Sequence, residues 1–227
     1  MHRLNTLLSQ NPVFSSLDPS ERNNLAQLAL PRSFQKGERV AHYGDVWPYL
    51  FLVDKGTLTA VKESEEGRSL IIVTLHPGEI FWGAAFFQEA APMLAALVAN
   101  QDSRIYLWQR ERVLPLLLRN GSVSWELASL LVKRMQRASD IVEELAFQPV
   151  AGRLAKLLVS RFADTGTERV SRNLTLDDMA AHIGTTREMV CRILHRFSSQ
   201  GLIEITRTEF VFTDRQALSQ LAQIAPE

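Results

Sequence analysis

Cysteine is almost absent from this chain. Cys191 is the only one in 227 residues, which excludes an intramolecular disulfide framework and a four-cysteine zinc or iron–sulfur site. Long apolar runs are missing as well. None approaches the ~18–20 residues that cross a bilayer, and Met1 to Gln10 is too polar for a secretory signal. Nor does one sign of charge prevail: Lys and Arg number 25, Asp and Glu 25. Residues 1–149 hold 15 and 16 of these, and residues 150–227 hold 10 and 9. Neither part has the basic bulk that announces nucleic acid by charge alone. With 46% hydrophobic and 22% charged residues, the composition predicts a cytoplasmic globular protein with no membrane partner.

What is present falls into three textures. In residues 4–30, short apolar helical patterns alternate with turn signals, and Asp18-Pro19-Ser20-Glu21 predicts a cap opening a helix through Leu30. From Phe34 to Trp108, β-rich runs (Tyr49–Val53, Leu58–Val61, Leu70–Leu75, Arg104–Trp108) are separated by glycines at 37, 44, 56, 67 and 78. That spacing predicts an antiparallel barrel or sandwich, with Gly83–Gln88 as a short helix in a connecting loop. The third texture is a long helix from about Ser122 to Leu145. Ala128, Leu131, Met135, Ala138, Val142 and Leu145 follow steps of three and four in alternation, the a/d seam of a helix that pairs with another. Small Ala128 and Ala138 allow two copies to approach closely; an amphipathic helix packed on its own domain is the alternative. Pro149 then marks a hinge. A second helix, Val150 to Phe162, ends at a turn over Asp164-Thr165-Gly166-Thr167.

Residues 174–213 carry the most specific signal. Thr175-Leu176-Asp177-Asp178 matches a capping box with Asp in the Glu place, and its acids suit the positive end of the helix dipole. This helix runs to Ile183 and stops at Gly184. Thr185 or Thr186 caps the next, which runs to about Phe197 and buries Met189, Val190, Ile193, Leu194 and Phe197 on one face. Its polar face presents Arg187, Glu188, Arg192 and Arg196. A hairpin wing follows, Leu202–Ile205 and Glu209–Thr213 joined by Thr206-Arg207-Thr208. Helix, turn, helix and wing in this order predict a DNA reader. The second helix enters the major groove, its N-terminus with Thr185 and Thr186 favours phosphate, Arg can bond guanine in two places, and Glu can accept from cytosine. Arg196 is expected on phosphates. Glu188, three residues after Thr185, could instead close a capping box.

Taken together, the glycine-studded strands, the long helix, Leu145-Ala146-Phe147 leading into Gly152-Arg153-Leu154-Ala155, and the winged helix-turn-helix resemble the family of the cyclic-AMP receptor protein and the fumarate-nitrate regulator along nearly the whole chain. The resemblance implies an α+β chain in three parts. These are an antiparallel β-roll sensor domain of cyclic-nucleotide-binding type over 1–121, a dimerisation helix and hinge over 122–148, and a winged helix-turn-helix domain over 149–227. It implies a homodimer on double-stranded DNA at a near-palindromic operator, with RNA polymerase as a further partner and no enzymatic activity. The family's recognition helix has an Arg-Glu pair followed by Arg, matched by Arg187-Glu188 and Arg192; in the receptor branch these read a TGTGA-type half-site. In the other branch a Ser precedes the last Arg, and Cys191 stands there.

The effector region departs from that pattern. The cyclic-nucleotide branch places a Glu after the loop glycine and an Arg-Ser pair on the phosphate; here Gly83 is followed by Ala84-Ala85, and Pro92-Met93 occupy the Arg-Ser place. Of the polar pair on the long helix only Ser139 matches, beside Ala138. These departures speak against cyclic AMP, and the missing N-terminal cysteines exclude a cysteine-bound iron–sulfur cluster. The expected pocket, drawn around Trp82, Gly83, Ala84, Met93, Leu94, Leu131, Met135 and Ser139, is apolar. It would suit an apolar or aromatic effector, or haem with His42 or His76 as axial ligand, or be plain core. Two rival readings stand beside the regulator. Cys191 and His195 are four apart on one helix, the spacing of a thiolate–imidazole contact, but with no orienting group or pocket. The other rival is a β-roll module that binds a ligand and acts on a protein partner.

Overall fold

A computed structural model describes residues 2–162 and 169–223; the turn expected at 164–167 lies outside them. The chain divides into two compact units, residues 1–62 with 72–137, and residues 63–71 with 138–227.

The first unit opens with α1 (His2–Gln10) and α2 (Pro19–Gln27). The Asp18 carboxylate accepts from the Glu21 N–H at 2.8 Å, and Glu21 accepts from the Asp18 N–H at 3.2 Å, a closed capping box. The expectation that α2 reaches Leu30 is corrected: the helix stops at Gln27, and Leu30 opens β1 (Leu30–Phe34). Leu30 there pairs with Leu107, so ladder bonds won over the apolar run Leu28-Ala29-Leu30 that had read as more helix. The remaining strands are β2 (Arg39–Ala41), β3 (Tyr49–Lys55), β4 (Leu58–Glu63), β5 (Ser69–Leu75), β6 (Ile80–Trp82), β7 (Ala96–Ala99) and β8 (Ser103–Gln109), with one 3₁₀ turn at Ala84–Phe86. They form two four-stranded sheets, ordered β1-β8-β3-β6 and β2-β7-β4-β5.

β3 shows why the roll holds. Successive side chains of a strand point to opposite faces, yet Leu50, Phe51, Leu52 and Val53 are all fully buried. Phe51 and Val53 join Leu58, Leu75, Met93, Leu97, Ile105 and Leu107 in one core cluster. Leu50 and Leu52 join Leu8, Phe14, Trp108, Val113 and Leu127 in another, contributed largely by helices. Fully burying side chains of this size stabilises by about 1.5–3 kcal/mol each, and Trp108 keeps its indole N–H satisfied on the Leu25 carbonyl at 2.7 Å. Among the helices over this core is α3 (Arg110–Arg119), which runs through Pro115 and was not expected. Then comes α4 (Gly121–Phe147). Asn120 Oδ1 accepts from the Val123 N–H at its start, and Val123 and Leu127 are buried.

In the second unit α4 ends at Phe147 and α5 (Val150–Phe162) begins after Pro149. There the missing proline N–H costs nothing, because the first amides of a helix have no partner in it. The rest is β9 (Arg169–Ser171), α6 (Leu176–Ile183), α7 (Arg187–Ser199), β10 (Ile203–Ile205), β11 (Glu209–Phe212) and α8 (Arg215–Gln223). The wing has three strands rather than two, ordered β10-β11-β9. Leu154, Leu158, Met179, Ile183, Val190, Leu194, Phe197, Phe210 and Leu218 close a single core. Arg153 is 9% exposed within this unit. Its Nε donates to Ile183 O at 2.9 Å, and its Nη1 to Gln148 O at 2.7 Å and Glu144 O at 3.3 Å. One guanidinium thus ties the carbonyl ends of α4 and α6 to α5. Burial lowers its pKa, with Glu144 acting in the opposite sense.

Candidate nucleic-acid interface and sensor region

The helix-turn-helix forms as its residues dictate. Thr175 caps α6, accepting from the Asp178 N–H at 3.1 Å while Asp178 accepts from the Thr175 N–H at 2.9 Å. Gly184 ends it in the left-handed region, φ 63° and ψ 48°, where a side chain would cost about 1–2 kcal/mol. Of the two candidate threonines, Thr186 is the cap of α7: its Oγ1 accepts from the Met189 N–H at 3.3 Å. Glu188 is therefore not paired with Thr185 in a capping box. Its carboxylate instead accepts from its own amide and from the Thr186 hydroxyl, which holds it below the usual carboxylate range.

The buried face of α7 is Val190, Ile193, Leu194 and Phe197, with Met189 partly covered. The opposite face leaves Thr186, Arg187, Glu188, Arg192, His195 and Arg196 exposed, while Thr185 is half-buried in the turn. Arg187 is partnered: its Nη1 lies 3.1 Å from Asp177 Oδ2 of α6. The side chains of Arg192 and Arg196 make no ion pair or hydrogen bond among the described residues. Cations held on a rigid helix, close to amides that point outward at a helix start, form a site for phosphate and base edges. Cys191 is half-buried and His195 is exposed, so the two share no enclosed pocket.

The candidate effector residues do not converge. Trp82 stacks on Phe81 with centroids 5.9 Å apart and meets Phe87 edge-on at 5.7 Å. Gly83 backs onto Trp47 so closely that a Cβ there would lie 1.9 Å from the Trp47 carbonyl oxygen. Ala84 is half-buried. Met93 is 3% exposed in the core, whereas Leu94 is 66% exposed. Leu131, Met135 and Ser139 are exposed on α4. His42 and His76 stand exposed on tight turns, their amides held by Asp45 and Glu79. Such positions do not fit a haem, which needs its axial ligand inside an apolar crevice.

Sequence reasoning missed Arg134. Its Nη2 donates to the Ile80 carbonyl at 2.8 Å, and its guanidinium lies 5.0 Å from the Phe81 ring centre and 5.3 Å from that of Trp82. Nε is buried without a hydrogen-bond partner. Burial lowers the pKa of this group, and Glu79 opposes the shift. The only available signal was a Lys133-Arg134 pair breaking the apolar pattern between Leu131 and Met135.

The seam of α4 is uncovered along the chain. Leu131, Met135, Val142 and Leu145 are 39, 66, 65 and 37% exposed, and Ala128 and Ala138 are exposed with them. Among the described residues no helix is long and apolar enough to cross a membrane.

Two domain patterns match this sequence: a Cyclic nucleotide-binding domain over residues 31–120 and a Crp-like helix-turn-helix domain over residues 152–221. A CRP-like cAMP-activated global transcriptional regulator of Mycobacterium tuberculosis is 23% identical over 225 residues, 97% of this chain and 100% of that protein. The Cyclic AMP receptor protein of Thermus thermophilus is 27% identical over 195 residues, 86% of this chain and 89% of its own. Among solved structures, the c-di-GMP responsive global regulator of Xanthomonas campestris superposes with a TM-score of 0.76 at 19% identity, covering 87% of this chain and 100% of that one.

Proposed function

Because the chain belongs to the family of the cyclic-AMP receptor protein and the fumarate-nitrate regulator, we propose that this helix-turn-helix transcription regulator acts as a homodimer on a near-palindromic operator, with an effector other than cyclic AMP. The observation that carries the reading is the free face of α7. Arg187, Glu188 and Arg192 are the base-reading residues, while Arg196 and the Thr185–Thr186 end set the helix on phosphates. Two such helices related by a two-fold axis read half-sites about one turn, ~10–10.5 base pairs, apart. The three parts are the roll over 1–121, the dimerisation helix over 122–148 and the DNA-binding part over 149–227. They work in the cytoplasm, with RNA polymerase as the further partner at the promoter. The uncovered apolar stripe of α4 supports the dimer, since a second copy of the same stripe would bury it.

Two relatives carry cyclic AMP in their names, yet this chain departs from what that ligand needs. No Lys or Arg occurs between Ala90 and Ala99, and a buried phosphate without a cation is costly. After the loop glycine Gly83, Ala84-Ala85 stand where the cyclic-nucleotide branch places its glutamate, so no carboxylate is offered to the ribose. Calorimetry on the full chain is expected to show no micromolar binding of cyclic AMP; such binding would overturn this part.

The DNA-reading assignment is tested by operator selection from random duplexes with the wild type and with Arg192→Ala. The expected wild-type consensus is a near-palindrome, relaxed by the variant at one base pair per half-site at a cost of about 1–3 kcal/mol. An asymmetric consensus would sink the dimeric reader, and an unchanged one would sink the role of Arg192.

A further inference from the structure

A hollow of about 300 Å³ lies within the first unit, between the loop after α1, the turn before β6 and one face of α4. That volume is at the lower end for small-ligand sites. Its apolar lining comes from Pro12, Val13, Ile80 and Leu130, and its charges from Glu79, Glu126, Lys133 and Arg134. Glu126, Ser129, Leu130 and Lys133 recur at the spacing of a single helix face, a face distinct from the seam that runs through Leu131 and Met135.

Three observations point to a ligand. First, Arg134 is held in place by the Ile80 carbonyl and the Phe81 and Trp82 rings, yet its Nε has no acceptor. Second, neither Lys133 nor Glu126 has a side-chain hydrogen bond or ion pair among the described residues. They sit seven residues apart, roughly 10 Å along the helix axis. Third, the lining holds two cations and two acids. A simple anion or a simple cation would leave one pair facing a like charge; a molecule carrying both charges satisfies the set.

We propose that this hollow binds a small zwitterion of the free amino-acid class. Its carboxylate would be taken by Arg134 and Lys133, its ammonium by Glu126 with Glu79 nearby, and its side chain by the apolar lining, with Ser129 as a hydroxyl partner. The guanidinium turns slightly to present its edge to the carboxylate, which supplies the acceptor that Nε lacks. The site joins α4, through Arg134, to the strand β6 that carries Trp82.

The test is calorimetry and thermal melting of the full chain against the twenty free amino acids. For each hit, the N-acetylated and the amidated forms serve as matched controls. At least one free amino acid is expected to bind and raise the melting temperature, while both blocked forms lose roughly tenfold or more in affinity. Lys133→Met and Glu126→Gln should each weaken binding by a similar factor. Both side chains are unpartnered, so their unliganded melting temperatures should match the wild type. If either variant fails to fold, Ser129→Ala is read instead, with a smaller loss expected. Absence of binding by all twenty would overturn the proposal. So would equal binding of the blocked forms, or binding indifferent to the substitutions. Because no DNA enters the measurement, failure here is separate from failure of the operator assignment.

Discussion

Two helices of this protein each leave one face uncovered, and the faces are chemical opposites. On α4 the open stripe is Leu131, Met135, Val142 and Leu145 with two alanines. On α7 it is Arg187, Glu188, Arg192 and Arg196 beside a threonine cap. Water tolerates the second face indefinitely, because charged side chains lose nothing by being solvated. The first is costly in water, because each of these large side chains, still 37–66% exposed, forgoes part of the ~1.5–3 kcal/mol that full burial gives. The apolar stripe therefore calls for a permanent protein partner, and the charged face for one that comes and goes. On the proposed reading, assembly belongs to α4 and recognition to α7, so recognition can be broken without assembly.

The largest effect should come from charging the apolar face. Met135→Glu with Val142→Glu would put like charges across a two-fold seam, where an unpaired buried charge costs about 3–5 kcal/mol. The double variant is expected to sediment as a monomer and to lose operator binding while keeping its secondary structure by circular dichroism. If it sediments as the wild type does, the seam is misassigned.

Next in size is the end of α7. Thr186→Ala removes the acceptor for the Met189 N–H, and cap losses run to about 0.5–2 kcal/mol. At 3.3 Å this bond is long, so the low end is expected, read as a shift in urea midpoint at constant slope. An unchanged midpoint would mean that the hydroxyl contributes nothing to the turn.

Smaller still is Arg196→Ala. It should weaken binding to all sequences alike and lower the slope of log affinity against log salt by about one contact. A changed base preference would move Arg196 from the phosphates to the bases.

The finest test concerns Glu188, whose bonds to its own amide and to Thr186 depress its pKa. A carboxylate with a lowered folded pKa stabilises above its ordinary pKa, and that contribution is lost as pH falls through the lowered value. If it is a cap, Glu188→Ala should remove a small stability difference between neutral pH and pH below its ordinary pKa and leave the operator consensus intact. If it reads a base, the consensus changes at one position.

The two regions were not equally legible in the amino-acid order. The helix-turn-helix is written in local rules: a cap at Thr175, an acid at Asp178, a left-handed stop at Gly184 and an apolar face with helical period. Each acts within a few residues, so each can be read without knowing the fold. α2 overran its expected end because Leu28 and Ala29 offer no local stop; the stop is Leu107, far along the chain. β9 was missed for the same reason, since three residues become a strand only by pairing with β11. α3 went unread because Gln109 gives no side-chain cap hydrogen bond and Pro115 lies inside. Arg134 was invisible because what makes it unusual, two aromatic rings and a carbonyl, lies some fifty residues upstream. The effector list scattered because it was drawn from family positions, whereas burial is decided by packing; the same set of residues holds a core methionine and an exposed leucine.

If Arg187 and Arg192 read bases as proposed, the contact between Arg187 and Asp177 has a consequence for tolerance. Where the base pair in front of Arg187 is wrong, the guanidinium is not stranded, because it keeps its aspartate. Where the pair is right, the aspartate must be given up. Discrimination at that position is therefore the base contact less the ion pair, which for exposed groups is worth roughly 0.2–1 kcal/mol. Arg192 has no such fallback and faces the full difference between a guanine and a mismatch. The two arginines, five residues apart on the same helix, should thus be unequally strict. Operators are then expected to drift at the pair opposite Arg187 and stay occupied, but to hold the one opposite Arg192.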